Sequence, residues 1–209
     1  MNHASSKKIN KEDIIKAGVE IVRKEGITNL NARKIASSLN CSTQPIYYLY
    51  SNMEELKDDV LKEISKIFDN AMLKNNYCRP VYKDIGKNYI RFAKDEPILF
   101  KLLFNSSINE KALCFIDLTG SSKQIFKTIE SQTGMKEEDI KNFHLRMWLY
   151  VNGIANLVAN NTINFTSSEI DELLKEQYLS MLLYEYQKGN VKKELIDKIL
   201  KNKGEIENE

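Results

Sequence analysis

Residues 39–56 read LNCSTQPIYYLYSNMEEL and gather two hydroxyls (Ser42, Thr43), an amide (Gln44) and three tyrosines (Tyr47, Tyr48, Tyr50) in one short stretch. Short polar side chains at the start of a helix can approach the edges of nucleic-acid bases, and a glutamine amide pairs with adenine through two hydrogen bonds. Tyrosine hydroxyls suit phosphate oxygens while their rings lean on sugars or thymine methyls. Lys7, Lys8 and Arg33 would add positive charge toward a phosphate backbone, although a solvated tail accounts for Lys7 and Lys8 equally well. Aromatics at helical spacing can also simply pack a core. That is the expectation for Tyr50, whereas Tyr47 and Tyr48 are expected to face outward.

Other chemistries find little support. His3 and His144 are too few and too far apart for a metal centre or a hydrolytic triad. No glycine-rich phosphate loop occurs, and no serine, cysteine or carboxylate sits in a recognisable catalytic setting, so neither an enzyme nor a cofactor is expected. Cys41, Cys78 and Cys114 are odd in number and widely spaced, which argues against a disulfide framework or a zinc site and fits a reducing cytoplasm. No apolar leader opens the chain and no apolar run reaches membrane-spanning length, so no membrane partner is expected. Charge is uneven: residues 1–50 carry eight Lys/Arg against four Asp/Glu, a net +4, and the remainder is net −2. A basic module on a slightly acidic body suits a polyanion-binding segment joined to something else.

The elements that must hold these residues read as all-α. Three prolines and eight glycines punctuate 209 residues, and no sustained alternation suggests strands. Ile14, Ala17, Gly18, Ile21 and Val22 make residues 11–25 an amphipathic helix with Asn10 as N-cap and Gly26 beyond its end. Asn31 caps a short helix over 32–39, and Asn40 tolerates the left-handed conformation of a sharp turn. Ser42 is the expected cap of the next helix, about 44–50, with Pro45 in its first turn. Ser51 and Asn52 can open a long helix to about residue 73. Further helices are expected over 82–94, 97–104, from Ser122 to Thr133-Gly134, over 137–160 and over 167–187. Thr166 and Glu169 form a capping box for the last of these, and the tail after Val191 reads as a frayed helix.

Three short helices with a tight turn between the second and third are the layout of a helix-turn-helix. Ile14, Ala17, Ile21, Ile35, Ala36, Leu39, Cys41, Ile46 and Tyr50 would form its core. In order and spacing, residues 10–57 resemble the DNA-binding domain of the TetR family of bacterial transcriptional regulators. The matching elements are Arg33-x-Ile35-Ala36, the turn ending in Ser42, Ile46-Tyr47, Tyr50 and Glu54-Glu55-Leu56. The resemblance implies a helix-turn-helix domain over 1–51 and an effector-binding and dimerisation domain over 52–209. Its DNA contacts would be Asn31, Arg33, Ser42, Thr43, Gln44, Tyr47 and Tyr48. Asn40 stands where the family usually has glycine, and Met53 where it often has a phosphate-contacting lysine. Lys57 lies one turn beyond Met53.

A weaker resemblance, in YIRFAKDEPILFKLLF (89–104) and WLYVNGIANLV (148–158), points to the ligand-binding half of a TetR subgroup with a Trp-x-x-x-His-Gly signature. Asn152 replaces its histidine. Tyr89, Phe92, Phe100, Phe104 and Trp148 could line a ligand pocket or be plain core. Asn152, an amide among apolar neighbours, needs a partner, whether a ligand, a backbone group or a dimer mate. The helix segment 145–158 is apolar on almost every side, so a second chain is expected to cover part of it, with Gly153, Ala155 and Ala159 allowing close approach. The combined expectation is a homodimeric, cytoplasmic, ligand-responsive repressor on a palindromic double-stranded DNA operator, with a small-molecule effector of unknown identity. A sensor of the same fold that no longer binds operators, and a nonspecific DNA binder, are the alternatives.

Overall fold

Every element that the described residues form is helical. The structure is a computed structural model describing residues 9–73, 81–105 and 122–206. Among the described residues ten α-helices run in order: α1 Lys11–Glu25, α2 Ala32–Ser38, α3 Gln44–Leu49, α4 Met53–Leu73, α5 Val81–Asp95, α6 Pro97–Phe104, α7 Ser122–Thr133, α8 Glu137–Ala159, α9 Ser167–Gln187 and α10 Lys193–Ile206. One 3-10 turn, Ile27–Asn29, joins α1 to α2. None of these helices is long and apolar enough to cross a membrane. Lys7, Lys8, His3, Cys78 and Cys114 lie outside the described residues.

Capping chemistry fixes the N-terminal helices. Asn10 accepts from Asp13 N at 2.9 Å while the Asp13 carboxylate accepts from Asn10 N, closing a capping box. Gly26, at φ 82°, turns the chain out of α1 in a conformation that side chains resist. Asn40, at φ 51°, ends α2 in the left-handed region. Its N–H bonds Ser37 O at 3.2 Å, and the Cys41 N–H bonds Ala36 O at 2.9 Å, the paired bonds of a Schellman motif. The turn is thus set by backbone bonding, with asparagine serving where glycine is commoner.

Ser42 does not cap α3; Thr43 occupies that position and makes no side-chain cap bond. Pro45 supplies no N–H, and the Ile46 N–H goes to the Thr43 carbonyl at 3.2 Å. Pro45 and Ile46 hold the positions whose N–H a cap side chain reaches, and neither offers one to it. At the start of α4, Asn52 accepts from Glu55 N, and the Glu55 carboxylate accepts from Ser51 N, both at 2.9 Å.

A small core joins α1, α2 and α3 through Ile14, Ala17, Ile21, Ile35, Ala36, Ile46 and Tyr50, all buried. Leu39 and Cys41 are half-buried at its edge. Along α4, Leu56, Val60, Ile64, Phe68 and Met72 recur every fourth residue and form one buried stripe. This stripe packs first on α1 and then on α5, so a single rod runs from the helix-turn-helix into the body. Within the body α5 and α8 are the most extensively packed pair, with α6, α7 and α9 around them.

Candidate nucleic-acid interface and ligand cavity

Helix α3 is held by its inner side and free on its outer one. Ile46 and Tyr50 are buried, while Tyr47 is 58 % and Tyr48 87 % exposed, so two large aromatic rings stand side by side in solvent. Ser42 and Gln44 are exposed and Thr43 half-buried. Among the described residues no hydrogen bond engages the side chain of any of these five. Tyr50 is anchored instead: its hydroxyl lies 3.4 Å from Asp59 on α4 and Lys11 sits 4.4 Å above its ring. Burial, with Asp59 and Glu55 nearby, pushes the Tyr50 phenol up to about 12.

The flanking residues divide by their partners. Asn31 is committed to its own turn, accepting from Lys34 N at 3.0 Å and donating to Asn29 O at 3.1 Å. Arg33 is exposed and forms no ion pair among the described residues. Lys34 is paired with Glu25, Lys57 with Glu54 at 2.7 Å, and Lys11 with Glu55 at 3.5 Å. Met53 is half-buried against the core.

In the body a cavity of about 590 Å³ lies between α5, α8 and α9, with Gln132 of α7 and Ile196 and Ile199 of α10 completing its wall. Its volume falls in the range that encloses small organic ligands. Tyr89 and Trp148, two of the expected pocket residues, line it. Phe92 and Phe104 do not: they pack edge-on against Phe68 of α4, with centroids 5.2 and 5.0 Å away, and Phe100 joins the same stack. Asn152 is also off the wall. Its partner is none of those expected, because its carbonyl oxygen accepts from the Tyr89 hydroxyl at 3.0 Å.

The wall includes residues that the sequence did not single out for it: Tyr82, Gly86, His144, Met147, Val151, Leu174 and Tyr178. The Tyr82 hydroxyl is 3.1 Å from His144 Nδ1, so this buried imidazole has a local partner. Burial pushes the Tyr178 phenol up to about 12 and raises those of Tyr82 and Tyr89 strongly, keeping all three hydroxyls protonated. The signal available in sequence was periodicity: Tyr82, Ile85, Gly86 and Tyr89 share one face of α5, as His144, Met147, Trp148 and Val151 share one face of α8.

Two features join the α3 region to the cavity region. One is the α4 rod. The other is Arg23 at the end of α1, whose Nε donates to Glu96 at 2.9 Å, between α5 and α6; Arg23 also pairs with Glu20. On the outer side of α8, Leu149, Gly153 and Leu157 form an exposed row, beside exposed Leu183 and Tyr184 of α9. Ala155 and Ala159 are buried within the chain, so of the small residues expected to admit a neighbour only Gly153 faces outward.

A helix-turn-helix continued by a long helix into an all-helical body with an internal cavity defines a class of architecture. It is that of the TetR-type regulators. A TetR-family transcriptional regulator from Haemophilus influenzae superposes with TM-score 0.58 at 19 % identity, covering 80 % of this chain and 93 % of that one. A TetR-like regulator from Rhodococcus sp. RHA1 gives 0.56 at 13 %, covering 85 % and 96 %. A transcriptional regulator from the same Rhodococcus gives 0.55 at 10 %, covering 84 % and 97 %. No family model and no curated protein matches the chain in sequence. At these identities the likeness establishes the fold.

Proposed function

We propose that this protein is a homodimeric, cytoplasmic DNA-binding transcriptional regulator of bacterial type, acting as a repressor that releases its operator when a small molecule fills the cavity. The carrying observation is α3 and the turn before it: the side chains of Ser42, Thr43, Gln44, Tyr47 and Tyr48 have no hydrogen-bond partners among the described residues, while the other side of the short helix is locked into the core. Residues 1–51 form the DNA-binding part and 52–209 the effector-binding and dimerisation part. Gln44 reads base edges, and Ser42, Thr43, Tyr47, Tyr48 and Arg33 contact backbone and sugars. Asn31 holds the start of α2 and acts through its position.

The exposed row on α8 supports the dimer. A helix-interior glycine costs about 1 kcal/mol against alanine, and a Cβ on Gly153 would meet nothing within 4 Å in the monomer. A second α8 crossing at that point gives the bare backbone a reason, with Leu149 and Leu157 packing above and below it. Two-fold symmetry then presents two α3 helices to successive major grooves and calls for a palindromic operator with half-sites about one helical turn apart. Ligand entry between α5, α8 and α9 biases the dimer toward a spacing of α3 helices that the operator does not fit.

A gel shift with DNA flanking the protein's own gene, against scrambled DNA over a salt series, tests this reading. Specific binding that Gln44→Ala weakens at particular base positions supports it. Binding without sequence preference would indicate a nonspecific binder, and no binding at any salt a sensor without an operator.

A further inference from the structure

The cavity wall carries enough chemistry to state what kind of molecule suits it. This inference rests on the proposed ligand response and concerns the same cavity. The charged residues on the wall, Lys83, Lys175 and Glu176, are all at least partly exposed, and Lys83 is 3.2 Å from Asp171. A ligand that carried a full charge into the interior would therefore meet no buried carboxylate, ammonium or guanidinium on the wall, and the one buried imidazole there, His144, already has the Tyr82 hydroxyl at 3.1 Å. Of the polar groups that lie inside, two hydroxyls are engaged, Tyr82 with His144 and Tyr89 with Asn152.

One donor is left over. The Trp148 indole N–H is shut off from solvent and finds no acceptor among the described residues. It lies toward the Tyr89 hydroxyl, near enough to ease that phenol's ionisation slightly against burial but outside hydrogen-bond geometry. A buried donor without a partner is a standing penalty that an acceptor would remove.

Gly86 marks the same place from the other side. A Cβ there would meet Leu174 methyls at 3.5 and 3.7 Å and Val151 at 3.7 Å, ordinary contacts, so packing does not require a glycine. In the interior of α5 glycine is nonetheless destabilising relative to alanine. What its bare backbone provides is room in the cavity, one turn from Tyr89 and opposite Val151, which is itself one turn from Trp148.

We propose that the cavity binds a neutral, mainly apolar molecule bearing one hydrogen-bond acceptor of the ketone, ester or lactone kind. The apolar body lies against Gly86 and Val151, and the acceptor takes the Trp148 N–H after a small rotation of the indole away from Tyr89.

The test is displacement of the apolar dye N-phenyl-1-naphthylamine from the full-length protein by 2-nonanone, nonane, nonanoate and nonyltrimethylammonium. The ketone is expected to compete about tenfold better than the alkane, and both charged probes worse than the ketone. Trp148→Phe should bring ketone and alkane within about twofold of each other, the ratio being the readout because the smaller ring alters the wall for both. Gly86→Ala should weaken all bound probes together while raising the melting temperature. Preferential binding of either charged probe, equal binding of ketone and alkane, or a ketone preference that survives Trp148→Phe overturns this inference alone. Failure of the dye and every probe to bind removes the ligand-response reading as well. If Trp148→Phe does not fold, the order of the four probes on the unaltered protein still decides.

Discussion

Gly18 sits where α1 crosses α4, and a Cβ built there would lie 2.6 Å from Val60 Cγ2. Val60 is fully buried and β-branched, so its χ1 is fixed within the helix and the methyl cannot swing aside. Gly18→Ala therefore combines a helix-propensity gain of about 1 kcal/mol with an overpacking cost of about 1–3 kcal/mol. The net expectation is a destabilisation of about 0–2 kcal/mol, against the usual direction of glycine-to-alanine changes in helices. Val60→Ala alone removes two buried methylene equivalents and opens a cavity, costing about 2 kcal/mol. In the double variant the new methyl on residue 18 enters the space that Val60 vacates. Its cost should fall about 1 kcal/mol below that of Val60→Ala alone, because the helix-propensity gain remains while the overpacking is relieved, leaving a favourable coupling of roughly 1 kcal/mol or more. Urea unfolding of the four proteins at one fixed concentration measures this, with unchanged m-values required for the comparison. Additivity within about 0.5 kcal/mol, or a stabilising Gly18→Ala, would refute the close approach of α1 and α4.

The Arg23–Glu96 pair is part-buried, so Glu96→Gln should leave operator affinity within about threefold while reducing the effector's ability to release DNA; a gel shift with and without ligand reads both. Glu185 is fully buried beside Arg146, Lys188 and Asn190; burial alone would raise its pKa, but these three partners hold it below the ordinary carboxylate value. A depressed folded-state pKa gives stability that is present above the unfolded value of about 4.3 and is lost as pH falls through the folded one. Glu185→Gln should be less stable at pH 7 and should flatten the melting-temperature profile on the acid side. Leu149→Glu should convert the dimer to monomer in sedimentation, since a carboxylate would enter the proposed apolar crossing, and an unchanged dimer would place the interface elsewhere.

Local chemistry made most of the helices legible. Asn10, Asn31, Asn40, Gly26 and the Thr166–Glu169 box act within four residues of their partners, so the sequence alone carries their effect. The cap of α3 falls one residue later than expected, on Thr43, whose hydroxyl makes no cap bond because Pro45 lacks an N–H and that of Ile46 goes to the Thr43 carbonyl. Outward placement of Tyr47 and Tyr48 was readable because Ile46 and Tyr50 on the same helix take the core. The cavity was harder. Phe92 and Phe104 share the aromatic character of Tyr89, yet which neighbour each ring meets depends on the rotation of α5 and α6 against α4, a tertiary outcome that composition does not encode. His144 looked isolated because its partner, Tyr82, is 62 residues away. The partner of Asn152, the Tyr89 hydroxyl, was hidden for the same reason.

The bridge from Arg23 to Glu96 has a reciprocal meaning under the proposed function. Coupling free energy between two sites has no direction. Whatever factor a bound effector takes from operator affinity, operator DNA takes from effector affinity. Molecules seated on DNA are then the last to fill, and unbound dimers in excess hold effector first. The number of protein copies per operator thereby sets the concentration of effector at which the gene responds, without any change in the cavity itself.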